Sequence, residues 1–177
     1  MIALVTGGSG CGKSTWTEKT LMASLPMEKR FYIATMRVWD EESVKRVERH
    51  RRQRADMGFE TIEQFKDIDA APVPEGAVVL LEDIPNLLAN EMFEEGGDVS
   101  RIVPAIERLS KKCSHLVMVT NDIFSDGIDY DPSTAEYMRL MAGINNAAAR
   151  MADLVVEVVY SVPVALKGVL PKKEEKK

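Results

Sequence analysis

The sequence predicts an α/β sandwich around a mostly parallel sheet, on three observations. Short apolar runs of strand length recur at 2–5, 31–34, 77–81, 116–119 and 154–160, with helix-compatible stretches between them. The run AVVLL at 77–81 is apolar at every position, which suits a parallel strand covered on both faces. The third observation is local: the first run leads through a glycine-rich loop directly into a helix start, the layout of a crossover unit in a parallel sheet.

In order, the 2–5 run is the first strand, and a helix from Lys13 to about Leu25 follows, stopped by Pro26. The 31–34 run is a second strand. Asp40 has the character of an N-cap, with Glu41 and Glu42 in the first turn and basic residues beyond, so a helix is expected to about Asp56, ended by Gly58. FETIEQF at 59–65 alternates as a strand, and Pro72 and Pro74 mark a loop over 70–76. After the 77–81 strand, helices are expected at 86–93 and 100–112, separated by Gly96 and Gly97. The 116–119 strand and an acidic loop over 125–132 come next. A helix over 133–153, weakened by Gly143 and the Asn145-Asn146 pair, precedes the final strand at 154–160. One domain over 1–171 accounts for all of these, and the charged 172–177 segment reads as a disordered tail.

Residues 7–14 read GGSGCGKS and fit the phosphate-binding loop pattern, with Gly7, Gly12, Lys13 and Ser14 in the fixed places. Glycines let backbone N–H groups close around an anion, Lys13 would reach the β- and γ-phosphates, and the Ser14 hydroxyl would hold Mg²⁺. The strand before the loop and the helix after it make a chance glycine turn the poorer reading. A phosphate loop needs an acidic group at the end of a nearby strand to organise the metal. VVLLED offers Glu82 and Asp83, and Glu82, the first beyond the apolar run, is preferred. Thr120, Asn121 and Asp122 end another strand and would share the same sheet edge.

Arg46, His50 and Arg54 recur every four residues on one face of the expected Asp40 helix, with Arg49, Arg51 and Arg52 around them. An exposed basic stripe is often only a solvated face. In a chain with a formal charge of −5, the density also suits a triphosphate and a histidine kept neutral and nucleophilic by its neighbours. The acidic balance argues against a general nucleic-acid binder. Cys11 and Cys113 form no metal or disulfide framework. No run reaches the roughly 20 apolar residues of a membrane span and no signal layout is present, so a cytoplasmic location is expected.

Together, these pieces resemble the bifunctional adenosylcobinamide kinase/adenosylcobinamide-phosphate guanylyltransferase family. The resemblance runs from VTGGSGCGKS to VPVALKG and is most restrictive over 32–64, where Arg46, His50, Arg54, Phe59, Thr61 and Glu63 occupy the family's R-x-x-x-H-x-x-x-R, aromatic and T-x-E positions. It implies a RecA-like phosphate-loop fold, expected as a homotrimer, and two reactions: phosphorylation of the aminopropanol hydroxyl of adenosylcobinamide by a nucleoside triphosphate, then GMP transfer from GTP through a guanylylated histidine. By position that histidine is His50. The resemblance also puts Gly7, Gly8, Ser9, Gly10, Cys11, Gly12, Lys13, Ser14, Ala34, Thr35, Met36, Arg51, Arg52, Gln53, Arg54, Glu63 and Glu82 at the nucleotide (GTP or ATP). The chain departs from the family pattern at Phe59, where tryptophan is common, at Gly10-Cys11, and after Val119, where Thr120-Asn121-Asp122-Ile123 replaces the S/T-N-E-V string. A small-molecule kinase with no covalent intermediate, and a nucleotide-dependent binding module, are the alternatives in the residues alone.

Overall fold

The computed structural model describes residues 1–27, 29–38, 55–124 and 127–171. The helix expected from Asp40 lies for most of its length outside the described residues, and with it Arg46, Arg49, His50, Arg51, Arg52, Gln53 and Arg54; so does the 172–177 segment.

Among the described residues, seven strands form one sheet: β1 (Ile2–Thr6), β2 (Arg30–Ala34), β3 (Phe59–Glu63), β4 (Val78–Glu82), β5 (His115–Val119), β6 (Leu154–Val159) and β7 (Val162–Lys167). Their order is β3-β2-β4-β5-β1-β6-β7, parallel throughout except for the antiparallel β6–β7 pair. The strand after the phosphate loop's own, in space, is therefore β5, and β4 with Glu82 stands one place further away. The register aligns Glu63, Ala34, Glu82 and Val119 in one row, so their strands end at a common edge.

Period-two alternation sends successive strand residues into two cores. Ile33, Val79, Leu81, Leu116 and Met118 face the helices α2 (Ile84–Phe93), α3 (Ile102–Lys112) and α4 (Pro132–Met151). Tyr32, Val78, Leu80, Val117 and Val156 face the other way, onto Trp16, Leu21 and Met22 of the first helix. This is the expected three-layer α/β sandwich. The caps explain where the helices begin. Asp83 Oδ1 accepts from Asn86 N at 2.8 Å and starts α2; Asp131 Oδ1 accepts from Ser133 N and Thr134 N and starts α4, with Pro132 in the first turn.

Several boundaries differ from expectation. The first helix is α-helical only over Lys13–Trp16 (α1), widens into a π turn over Thr17–Leu21 and closes as a 3₁₀ turn over Met22–Ser24. Buried Arg30 gathers its loose end, donating to the carbonyls of Met22 and Leu25 at 2.6 Å and of Pro26 at 2.8 Å. The strand expected over 59–65 ends at Glu63, and α4 runs unbroken through Gly143 and Asn145. Val162–Lys167 forms a strand that the sequence did not announce. It returns through a two-residue turn at Tyr160 and Ser161, both left-handed, with φ of 49° and 66°. Such turns favour Asn-Gly, and neither residue is present here. Among the described residues no helix is long and apolar enough to cross a membrane.

Candidate functional site

The glycine loop leaves β1 at the carboxyl edge of the sheet, where ligands of open α/β sheets bind. Its shape depends on backbone no other residue adopts easily. Gly12, with φ 93° and ψ 6°, is left-handed and starts α1; a Cβ there would press on Ser161 of the β6–β7 turn, 3.2 Å from its Cβ. At Gly7, φ is 148° and an added Cβ would stand 2.5 Å from the Val158 carbonyl oxygen. The turn also holds the loop directly, since Ser161 N donates to Cys11 O at 2.8 Å. Gly8, Ser9 and Gly10 are exposed, Cys11 and Gly12 half-buried.

Lys13 is buried, and its ammonium donates to Gly8 O at 3.1 Å, bridging the loop from the inside. Ser14 Oγ donates to Glu82 Oε1 at 2.9 Å, across a sequence separation of 68 residues. Glu82 Oε2 is buried and has no hydrogen-bond partner among the described residues. A hydroxyl and a carboxylate with one uncommitted oxygen are a hard-oxygen donor pair, which fits Mg²⁺; that ion commonly takes one or two protein oxygens and completes its shell with phosphate and water. Asp83, the other acidic residue of VVLLED, is spent on the α2 cap and on Asn86 Nδ2 at 2.7 Å. No cluster of three or more His, Cys, Asp or Glu that could form an all-protein metal cage occurs among the described residues.

The row beside Glu82 is fastened by Asn90, which the sequence reading passed over, and by Thr35, which the resemblance put at the nucleotide. Asn90 of α2, buried, donates to Thr35 O at 2.8 Å and to Phe65 O at 2.9 Å. Thr35, fully buried, donates its hydroxyl to Asp83 O at 2.8 Å and accepts from Asp83 N at 2.7 Å, while its own N–H donates to Glu82 O. Every polar group of Thr35 is engaged inside the protein, so its place is in the frame of the edge. Ala34 and Met36 flank it, half-buried, and Glu63 is exposed at the end of β3. Arg37 pairs with Glu94 at 2.8 Å and covers the Phe65 ring at 4.7 Å.

At the end of β5, Thr120 is buried and donates to Asn145 Oδ1 at 2.7 Å, which gives a purpose to an asparagine that looked only like a helix weakener. Asp122 N donates to Gly7 O at 3.2 Å, so this strand end is tied to the phosphate loop. A cleft of about 540 Å³ opens between them and α4, with Gly8, Asp122, Ile123, Thr134, Tyr137 and Met138 in its walls. Tyr137 donates its hydroxyl to Pro85 O at 2.9 Å and stacks on Phe93, ring centres 6.5 Å apart. Burial, with the Asp83 charge adding to it, pushes this phenol up to about 12, so it stays protonated.

Residues 3–166 match the family model described as cobinamide kinase / cobinamide phosphate guanyltransferase. The bifunctional adenosylcobalamin biosynthesis protein CobU of Escherichia coli (strain K12) is 30% identical over 189 residues, covering 94% of this chain and 100% of that protein. The protein of the same description from Salmonella typhimurium is 29% identical with the same coverage. Among solved structures, the flagellar accessory protein FlaH from Methanocaldococcus jannaschii is similar at a TM-score of 0.50 and 13% identity, over 97% of this chain and 82% of that one. At that identity the likeness concerns the fold alone.

Proposed function

The chain belongs to the cobinamide kinase / cobinamide phosphate guanyltransferase family, and on that premise we propose that it phosphorylates the aminopropanol hydroxyl of adenosylcobinamide and then transfers GMP from GTP to the phosphate so formed, through guanylylated His50. It is a transferase of cobalamin biosynthesis that uses nucleotides. The observation that carries the nucleotide part is the Ser14–Glu82 contact beneath the glycine loop, with Glu82 Oε2 buried and uncommitted.

In this reading the backbone of Gly7 to Gly12 cradles the β- and γ-phosphates, and Lys13 exchanges the Gly8 carbonyl for phosphate oxygens. Ser14 and Glu82 hold Mg²⁺, which when bound offsets charge on the phosphate oxygens. His50 attacks the α-phosphorus; an N–P bond forms, the bond to the β-phosphate oxygen breaks, and pyrophosphate leaves. The corrinoid phosphate then takes the GMP and frees the imidazole. Splitting the transfer in two is nucleophilic catalysis, and the arginines at 51, 52 and 54 favour it by neutralising the departing pyrophosphate.

Incubation with Mg²⁺ and GTP labelled at the α-phosphate tests this. The native protein should carry an acid-labile label that His50→Ala lacks. An unlabelled native protein overturns the guanylyl transfer, and γ-phosphate transfer that survives His50→Ala beside it would leave a small-molecule kinase.

A further inference from the structure

The cleft between the phosphate loop and α4 has a position, a size and a chemistry that fit one reactant left without a site above. Its position follows from the strand order. Glu82 and Ser14 mark the metal, and so the γ-phosphate, on the β4 side of the loop. β5 stands between β4 and β1, so its carboxyl end, with Asp122, opens beside that phosphate. Asp122 is fixed there by its own N–H on Gly7 O and by Phe124 N on its Oδ1, both at 3.2 Å.

The volume, about 540 Å³, lies in the range of small-molecule sites and is too small for a whole corrinoid, so it suits an arm of one. Among the described residues, the walls combine one carboxylate with Ile123, Tyr130, Tyr137 and Met138 and include no lysine or arginine. These wall residues offer a triphosphate no countercharge. A neutral alcohol on an apolar carrier would meet both a hydrogen-bond acceptor and apolar surface. Tyr137 presents its ring, because its hydroxyl is occupied by Pro85 O. Phe124, next in the chain to the wall residue Ile123, and Ile128, two residues before the wall residue Tyr130, are exposed at 41% and 62%, apolar surface of the kind a flat macrocycle can rest on.

We propose that this cleft is the acceptor site of the kinase step, in which the aminopropanol arm enters with its hydroxyl on the Asp122 carboxylate and the corrin stays outside, on apolar surface such as Phe124 and Ile128. The inference rests on the kinase reading given above. The hydroxyl oxygen forms a bond to the γ-phosphorus, the bond from that phosphorus to the β-phosphate oxygen breaks, and the nucleoside diphosphate leaves with the electron pair. The hydroxyl proton passes to Asp122 and from there to water. Asp122 is thus a catalytic residue of the kinase step alone.

Four proteins test it: native, Asp122→Asn, Met138→Trp and, as a second way of filling the cleft, Thr134→Phe, with thermal melting as the check on folding. Corrinoid binding is measured by titrating adenosylcobinamide against tryptophan fluorescence, phosphate transfer with a γ-labelled donor, and guanylylation with α-labelled GTP. Asp122→Asn should lower the phosphate-transfer kcat by about 100-fold or more, the usual range for loss of a general base, and leave corrinoid affinity and α-label incorporation within about 3-fold. Met138→Trp and Thr134→Phe should weaken corrinoid binding at least 10-fold with guanylylation unchanged. Transfer by Asp122→Asn within about 3-fold of native overturns its role, and unchanged corrinoid affinity in both filled variants overturns the site. A native protein that binds the corrinoid and transfers no phosphate overturns the kinase reading and Asp122 with it, while the filled variants still decide whether the cleft is where the corrinoid sits.

Discussion

Gly12→Ala should destabilise the protein and its nucleotide complex together, and Ser161→Gly should undo part of the damage. Two costs are legible at Gly12. Its left-handed backbone costs an alanine about 1–2 kcal/mol. The added methyl would also crowd Ser161, 3.2 Å from its Cβ, 3.3 Å from its Cα and closer still to its Oγ. Overpacking of that kind costs about 1–3 kcal/mol, for a total of about 2–5. Ser161→Gly removes the Oγ and Cβ obstacles and keeps the bond from Ser161 N to Cys11 O, so the pair of substitutions should recover the steric share. Alone, Ser161→Gly should stabilise by about 1 kcal/mol, because φ of 66° suits glycine. Urea denaturation of the two single variants and the double variant closes a cycle, and its coupling should be about 1 kcal/mol or more. GTP titration of the same proteins should show Gly12→Ala weakened and the double variant partly restored. A coupling indistinguishable from zero would refute the claim that the β6–β7 turn shapes the loop.

Asn90→Ala strands two carbonyls, of Thr35 and Phe65, at about 1–3 kcal/mol each, so denaturation should register a loss of about 2–6 kcal/mol; a loss below about 1 would mean the amide is dispensable. The two thiols should separate by reactivity. Burial pushes Cys113 up to about 11, which at pH 8 leaves about one thiolate in a thousand, whereas Cys11 lies half-buried in the loop. A disulfide reagent should modify Cys11 first, more slowly with GTP present, and reach Cys113 on unfolding; equal rates would contradict this. The same shift has a sign for stability. The folded state keeps the Cys113 proton longer than the unfolded chain does, so the fold should weaken as pH rises from 9.0 towards about 11, and Cys113→Ala should remove that portion of the slope.

How much the sequence told depends on whether the signal was local. The phosphate loop, the alternation of strands and helices and the end of the β4 run at Glu82 are patterns within a few residues, and they were readable. Which strand neighbours which was not: nothing in LVMV announces that β5 inserts between β1 and β4. The β7 strand escaped because Tyr160-Ser161 lacks turn chemistry and Pro163 argues against a strand. Contact with the glycine loop supplies what propensity withholds there, through Ser161 N on Cys11 O. Asn90 gave no signal either, since a buried amide is held in place by partners 55 and 25 residues away. Asp122 was legible as a strand end and became informative only once the sheet order put it beside Gly7.

The fastening of β2, β3 and β4 consists of amide, hydroxyl and backbone groups: Asn90 to Thr35 and Phe65, and Thr35 to Asp83. None of them titrates. On the function proposed above, a triphosphate that docks, splits and departs would carry a large negative charge into and out of this edge in every cycle, and a frame of ion pairs would feel each step as a change in its own bonding. A frame of neutral dipoles does so far less. The edge can therefore pass through differently charged states, with metal or without, while keeping one geometry, and its stiffness should be nearly indifferent to ionic strength even where nucleotide affinity is not.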